Sequence, residues 1–419
     1  MFLAVPTAII TLVAGCSSSG HSSGSQTSRA ANSGPAPTGT PIPVGAIGVF
    51  SGPLAQSSLD AKSIMQAWAA SVNAAGGIDG HPIKLYIVDT TGSPAVGLTG
   101  MKTLVEQDHV VAIVGSADNN PTWESYVDKK GIPVVGGGQL AIPFMTDPNW
   151  FGIGGNLVSV FQGIVDLAQK GGPKTAIFYC AEAPGCAAAA TLEGTLGKPK
   201  NVSVAVSQGV AASTSDFTAQ CEALKSANVN SWDLSVASAL MPRFVSQCKT
   251  LGFSAPLIEP GTTAGSQLTS QAGFNGVTWI DAWAGFFDES TPATKAFHAA
   301  LAKYAPSVGS TSLPLNSVGM GAWISGKLFE AAIRASGATP TTTITSDLVK
   351  KGLYALKDET LGGLTTPLTY TEGKPTLFNC YFQYTMKDNN FVTADNMKPT
   401  CADGATDKLI ASIAAGFTK

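Results

Sequence analysis

The sequence predicts an α/β protein with two doubly wound lobes, each built on a mainly parallel sheet. A chain of 419 residues is longer than one hydrophobic core usually serves, so two domains are expected. Strand and helix signals alternate almost throughout, and the alternation restarts after residue 155. The hydrophobic fraction of 44% and the charged fraction of 13% are typical of a globular chain. A net charge of −3 without a basic run predicts no nucleic-acid partner.

The N-terminus is typical of an export signal. Residues 1–15 form one apolar run, shorter than the roughly 20 residues that span a bilayer. The run ends in "VAGC", which resembles the lipobox of bacterial lipoproteins, although no Lys or Arg precedes it. The resemblance implies a signal peptide over 1–15 and a lipid on Cys16. A buried hydrophobic N-terminal helix is the alternative interpretation.

A tether follows the lipidated cysteine. Residues 17–41 are rich in Ser, Gly and Pro and cannot bury a core, which predicts a flexible segment over 16–42. Signal, lipid and tether in this order predict an exported protein, anchored by its lipid to the outer face of the cytoplasmic membrane. Firm anchoring takes more than one acyl chain, as bacterial lipoproteins carry.

Six cysteines remain after Cys16. An even number of cysteines in an exported protein favours disulfides. We favour pairs between neighbours in sequence: Cys180 with Cys186, Cys221 with Cys248, and Cys380 with Cys401. Metal binding is the alternative, but no CxxC motif occurs and the four histidines are scattered. The sequence therefore predicts no metal and no cofactor.

The first series of elements begins with a buried strand over 44–50. A helix is predicted over 57–75, because Ile64, Met65, Trp68 and Val72 recur at three-and-four spacing. The remaining strands of this series are predicted at 83–89, 110–115 and 132–135, and the helices at 94–107 and 120–129. Near-continuous apolar strands between helices indicate a parallel sheet covered on both faces.

The second series repeats this pattern. Its strands are predicted at 175–180, 202–207, 232–237, 255–260 and 277–283, and its helices at 157–170, 186–196, 215–227 and 241–251. Further helices are predicted at 292–303, 315–336 and 345–356, before a strand-like tail over 365–393. Ligands of open α/β sheets bind at the carboxyl ends of the strands, so two such sheets predict a ligand in the cleft between lobes.

No known catalytic motif occurs at a place in the sequence where it could function. The one G-x-S-x-G match, residues 20–24, lies in the tether, whereas a nucleophile elbow needs a preceding strand and a following helix. No P-loop, HExxH or well-placed G-x-G-x-x-G occurs. We therefore expect a binding protein and not an enzyme.

Residues 42–94 carry a family resemblance. The turn "SGPLAQ", the helix stop "NAAGGIDGHPIKL" and the strand end "VDTTGSP" are similar to the opening of the branched-chain amino-acid-binding proteins, a leucine-binding-like family. The similarity continues through "VVAIVGSADNNPTWESYVDKKGIPVV" and covers most of 43–390. These proteins are ABC-importer receptors of the type I periplasmic-binding fold.

The resemblance implies a Venus-flytrap protein. Lobe 1 would comprise 43–154 plus 286–343, and lobe 2 would comprise 155–285 plus 344–419, with three crossing strands as a hinge that closes round the ligand. The expected partners are a small molecule and ABC permease subunits, and the chain is expected to be a monomer. A receptor of the same fold that regulates a partner protein and feeds no transporter is the alternative.

The resemblance also places the ligand site. In the family, the loop after the third strand holds the ligand's carboxylate, and the loops after the first and fourth strands contribute. The lobe 2 candidates follow strands of that lobe. The candidate ligand-binding residues are Gln56, Ser57, Ser116, Asp118, Asn119, Asn120, Gly138, Gln139, Leu140, Glu182 and Thr262. Asp118, Asn119 and Asn120 have a second interpretation, as N-caps of a helix beginning near Pro121.

Departures from the family pattern bear on the ligand. Ser57 stands where amino-acid binders commonly place an aromatic residue, and Gly261 or Thr262 stands where they place an acid for the ammonium group. Asp118 would repel a ligand carboxylate in a closed cleft. The ligand is therefore expected to be a small polar or aromatic acid, amide or amino-acid-like metabolite other than leucine itself.

Overall fold

The computed structural model describes residues 36–52, 55–118, 122–138, 140–182, 184–393 and 395–417. Cys16, Asn119, Asn120 and Gln139 lie outside these ranges. A first sheet of five parallel strands is ordered β2-β1-β3-β4-β5. The strands are β1 (Ile42–Gly48), β2 (Ile83–Asp89), β3 (Ala112–Ser116), β4 (Val134–Gly137) and β5 (Trp150–Phe151).

Four helices connect these strands: α1 (Ala61–Ala74), α2 (Pro94–Glu106), α3 (Glu124–Lys130) and α4 (Pro143–Thr146). The apolar stripe predicted for α1 is buried, including Ile64, Met65 and Trp68. The helix begins four residues later than predicted because the preceding residues form a turn, in which Ser58 Oγ donates to the Val49 carbonyl at 2.6 Å.

The second series begins with α5 and contains five strands before the chain returns to the first sheet. Its elements are α5 (Leu157–Gly171), β6 (Lys174–Cys180), α6 (Pro184–Gly197), β7 (Ser203–Val210), α7 (Thr218–Ala227), β8 (Ser231–Ser235), α8 (Met241–Thr250), β9 (Ile258–Pro260) and β10 (Thr278–Asp281). The order is β7-β6-β8, and a parallel bridge between Trp232 and Leu257 continues it to β9 and β10.

Three helices then return to the first sheet: α9 (Pro292–Tyr304), α10 (Ser317–Ala335) and α11 (Ser346–Ala355). Helix α10 packs against β3, β4 and α1, and α11 packs against α10. The Ser346 hydroxyl donates to the Val111 carbonyl at 2.8 Å. The elements around the first sheet, including α9, α10 and α11, are called the first lobe below. Residues 346–355 thus pack on the first lobe, although the sequence-based division placed 344–419 in the second.

The C-terminal part completes the second sheet with antiparallel strands, and we call this sheet with α5–α8 the second lobe. The elements of this C-terminal part are β11 (Cys380–Lys387), β12 (Asn390–Val392), β13 (Thr400–Cys401) and α12 (Gly404–Gly416). Strand β11 pairs with β10, β12 and β13. The part over 365–379 is irregular, because only the later half of the predicted strand-like tail finds a sheet partner. The disulfides Cys180–Cys186, Cys221–Cys248 and Cys380–Cys401 are present, which confirms the expected pairing.

Three chain segments, following β5, β10 and α11, cross between the two sheets and are bonded to one another. The Gly155 amide donates to the Ala282 carbonyl at 3.0 Å, and the Ala284 amide donates to the Leu364 carbonyl at 3.0 Å. Asn156 Nδ2 of the first segment donates to the Phe378 carbonyl of the third segment at 2.9 Å. These segments form the connection expected of a hinge. No helix among the described residues is long and apolar enough to span a membrane.

Candidate functional site

Three loops of the first lobe meet at the carboxyl edge of its sheet. The Gly138 amide donates to the Ser116 carbonyl at 2.8 Å, which joins the loops after β4 and β3. The Val49 amide donates to the Ala117 carbonyl at 3.2 Å, which joins the loop after β1 to them. Since neighbouring parallel strands end at one edge, the described residues of these loops lie at the same edge of the sheet.

Ser116 ends β3 in a confined place. It is 2% exposed, and its Oγ has no hydrogen-bond partner among the described residues. A Cβ at Gly137 would lie 2.6 Å from the Ser116 carbonyl oxygen, so only glycine fits beside it. A buried hydroxyl without a partner is costly, and a ligand atom that bonded it would recover that free energy.

Asp118 lies two residues beyond β3 and is half-buried. Its Oδ2 accepts from Trp123 Nε1 at 3.3 Å, and the Trp123 side chain is fully buried. The capping interpretation is wrong for Asp118, because α3 begins at Glu124 with Trp123 as its N-cap residue. The bond to Trp123 instead fixes one oxygen of the carboxylate at the end of the sheet.

The other described first-lobe candidates lie in the loops after β1 and β4. Gln56 and Ser57 are half-buried in the turn before α1. Gly138 is buried, and its carbonyl accepts from the Ala141 amide at 3.0 Å. Leu140 is partly buried and packs against the hydrophobic core.

The two second-lobe candidates follow strands as expected but have different environments. Thr262 is 8% exposed and lies in a 3₁₀ turn, Gly261–Thr263, directly after β9. A Cβ at Gly261 would lie 2.1 Å from Asp281 Cγ, so this turn packs against the end of β10. Glu182 is exposed after β6, and its Oε1 accepts from the Ala212 amide at 2.6 Å.

Buried carboxyl groups lie beneath the Thr262 turn. Glu259 is fully buried and accepts from the Leu234 amide at 2.9 Å and from Thr263 Oγ1 at 3.2 Å. Burial raises the pKa of Glu259 well above its ordinary value. Burial likewise raises the pKa of Asp233 and Glu193, and the closeness of Glu193 raises that of Asp233 further. Asp233 and Glu193 are fully buried, and no periodic pattern in the sequence predicted this.

A small pocket opens between the first-lobe loops and the crossing segments. It lies beside Gly137 at the end of β4 and Phe144 of α4, with Asn156, Trp283, Thr376 and Phe378 on the crossing side. Sequence reasoning did not select Asn156, Thr376 or Phe378. The glycines at 154 and 155, three and four residues after the end of β5, were a sequence signal of close chain approach there.

One carboxylate cluster has spacing suited to a cation. Oxygen atoms of Glu124, Asp128 and Asp147 lie within 4.8 Å of one another. Asp128 Oδ1 accepts from Trp150 Nε1 at 3.3 Å. Burial, with Asp147 beside it, raises the pKa of Asp128 to about 7. The protonated form of Asp128 is therefore favoured by its burial and by the neighbouring Asp147.

The fold consists of two α/β lobes joined by three crossing segments. The profile of the periplasmic binding protein family matches residues 41–390. The chain belongs to this family, and the resemblance inferred from the sequence is confirmed. No curated protein sequence matches the chain significantly.

Solved structures of the same fold have diverged far in sequence. A branched-chain amino acid ABC transporter from Thermus thermophilus with bound valine is 14% identical, with a TM-score of 0.76, covering 89% of this chain and 98% of its own. A fatty acid ABC transporter substrate-binding protein from Thermomonospora curvata is 17% identical, with a TM-score of 0.72, covering 90% and 95%. A solute-binding protein from R. palustris in complex with 4-hydroxybenzoate is 18% identical, with a TM-score of 0.69, covering 88% and 100%.

Proposed function

We propose that this protein is the extracytoplasmic solute-binding component of a branched-chain amino-acid-type ABC importer. Membership of the periplasmic binding protein family, together with three first-lobe loops meeting at one sheet edge, supports the proposal most. The similar structures whose names mention ABC transporters favour import over other uses of the fold. The ligand would lie between the lobes, and hinge closure would present a closed form to the permease. No catalytic step is part of this function.

The ligand class follows from where charge is available. Ser116 offers a buried hydroxyl that has no hydrogen-bond partner among the described residues, and Asp118 offers a half-buried carboxylate nearby in sequence. A ligand carboxylate placed beside Asp118 would be repelled, whereas an amide or amine would be attracted. We therefore propose a small polar or aromatic metabolite, and within matched pairs we expect the amide to bind better than the acid.

Thermal-shift measurements on residues 43–419 test this proposal. The panel contains leucine, valine, 4-hydroxybenzoate, and the pair benzoate and benzamide. Asp118→Asn should reduce the difference between the thermal shifts that benzamide and benzoate produce. Asp347→Asn is the control, at a side chain that is 91% exposed, and should leave this difference unchanged. Tight binding of leucine or valine would contradict the ligand class. A protein that no metabolite of a broader panel stabilises would contradict the receptor itself.

We further propose that the protein is a lipoprotein held through Cys16, with residues 17–41 as its tether. The support is the apolar run, the small residues and the cysteine in that order. Cys16→Ala should release the full chain from membranes into the soluble extracellular or periplasmic fraction. If Cys16→Ala stays in the membrane fraction, the protein is held by something other than a lipid on this residue.

A further inference from the structure

Helix α12 lies beyond the residues that match the family. The match ends at residue 390, whereas α12 spans Gly404–Gly416. The chain before it is joined by the Cys380–Cys401 disulfide to the first residue of β11, directly after the third crossing segment. The Ala402 amide also donates to the Asn379 carbonyl at 2.9 Å. The helix therefore starts from an anchored point beside the hinge.

The helix uses an apolar face to contact elements of both lobes. Ile410 is fully buried, and Ala414 is 4% exposed. Helix α12 contacts α5, the first helix of the second lobe, and it also contacts α4 of the first lobe. Asn379 Nδ2 donates to Asp407 Oδ1 at 2.5 Å, which adds a polar attachment at the hinge end of α12.

Helix α4 is directly connected to the candidate ligand loop. The Ala141 amide donates to the Gly138 carbonyl at 3.0 Å, so the loop and the start of α4 form one turn. Phe144 of α4 lines the pocket and packs edge-on against Trp150, with ring centroids 5.1 Å apart. A displacement of α4 would therefore displace Gly138.

We propose that α12 is a strap that links the second lobe to α4, restricts opening of the hinge and positions Gly138 and Leu140 of the loop after β4. The proposal rests on the proposed function only in taking this loop as part of the ligand site. Burial of Ile410 supplies the attachment, because removing apolar surface from water is favourable in proportion to its area. Without the strap, the lobes would separate further and Gly138 and Leu140 would be held less firmly.

Hydrogen–deuterium exchange and small-angle X-ray scattering on the ligand-free protein test this proposal. Ile410→Asp places a charge on the buried face, and Ala411→Asp places the same charge on the exposed face as a control. Ile410→Ala is the milder variant, for use if Ile410→Asp does not fold. We expect Ile410→Asp or Ile410→Ala to speed exchange in peptides covering 137–147 at least threefold and to increase the radius of gyration, with β6 and β7 peptides unchanged.

The two readouts need no ligand, so they are independent of whether the receptor proposal holds. Faster exchange confined to α12 and α5, with 137–147 and the radius of gyration unchanged, would overturn the proposal and leave α12 a cover for α5. An equal effect of Ala411→Asp would also overturn it, because the buried face would then have no special role. The proposal would also be overturned if Ile410→Ala speeds exchange in α12 itself but leaves exchange at 137–147 unchanged or slower.

Discussion

Removal of the Cys221–Cys248 disulfide should destabilise this protein more than removal of either other disulfide. The perturbation is a pair of Cys→Ala substitutions for each bridge in turn. Cys221 lies on α7 and Cys248 on α8, and both side chains are buried. The bridge thus joins two helices of the second lobe through its core.

The expected magnitudes follow from the lengths of chain that each bridge closes. A bridge restricts the unfolded chain more when the loop is longer. Sequence separations of 27, 21 and 6 correspond to about 3.5, 3.3 and 2.2 kcal/mol at 25 °C by the chain-entropy relation. Replacing Cys221 and Cys248 by alanine also removes buried sulfur atoms and leaves a cavity, which costs additional stability. This cost increases the difference between the 221–248 pair and the 380–401 pair.

Urea denaturation followed by far-ultraviolet circular dichroism measures the effect. The midpoint should shift most for the 221–248 pair and least for the 180–186 pair, with similar slopes. Wild-type protein kept reduced is the control, because it loses the cross-links but keeps the sulfur atoms. A largest loss at the 180–186 pair, or a loss under about 1 kcal/mol at 221–248, would refute the loop-entropy reasoning.

Three further predictions concern buried groups. Burial raises the pKa of Asp60 from 3.8 to about 7, so the folded state binds more protons than the unfolded state between these values. The free energy of unfolding should therefore fall as pH rises from about 4 to 8, by up to about 4 kcal/mol from this group. Asp60→Asn should weaken this pH dependence. If urea titrations at stepped pH give the same pH dependence for wild type and Asp60→Asn, Asp60 is not the group responsible. Gly352→Ala should destabilise the folded protein by about 1–3 kcal/mol, because the new Cβ would lie 1.8 Å from the Ala332 carbonyl oxygen. Lys351→Ala, at the exposed neighbouring position, is the control and should have little effect in the same thermal melts. Glu330→Ala should cost about 1–3 kcal/mol by leaving Trp68 Nε1 without its acceptor at 3.0 Å, and Glu330→Gln, which retains an acceptor, should lose less in the same melts.

Much of the fold was predictable because its signals are local. The apolar stripe of α1 and the parallel strands of the first sheet follow from spacing and composition alone. The disulfides were predictable because each joins neighbours in sequence. Residues 346–355 were assigned to the wrong side because a helix shows its apolar face in sequence but not the partner it packs on. Here the partner is α10, and Gly352 permits the close approach.

The site was predictable only as far as strand ends determine it. Loops after β1, β3 and β4 had to meet, because parallel strands end at one edge. The pairing of Asp118 with Trp123 had no sequence signal, since capping was an equally good use for an acid before a helix. Asn156 and Phe378 reach the pocket only through the folding of the crossing segments, which are far apart in sequence.

The distribution of acids decides which lobe can contribute polar selectivity. In the second lobe, Glu259 is turned inward to Leu234 and Thr263, and Glu182 is bonded to the Ala212 amide. An ammonium group entering from that side would therefore not reach Glu259, and Glu182 would offer it a carboxylate that already accepts one backbone hydrogen bond. Asp118 lies at the first-lobe edge instead, beside loops that already meet one another. If the ligand has a donor group, its recognition should then depend on the first lobe, and hinge closure would serve mainly to exclude water and strengthen that interaction.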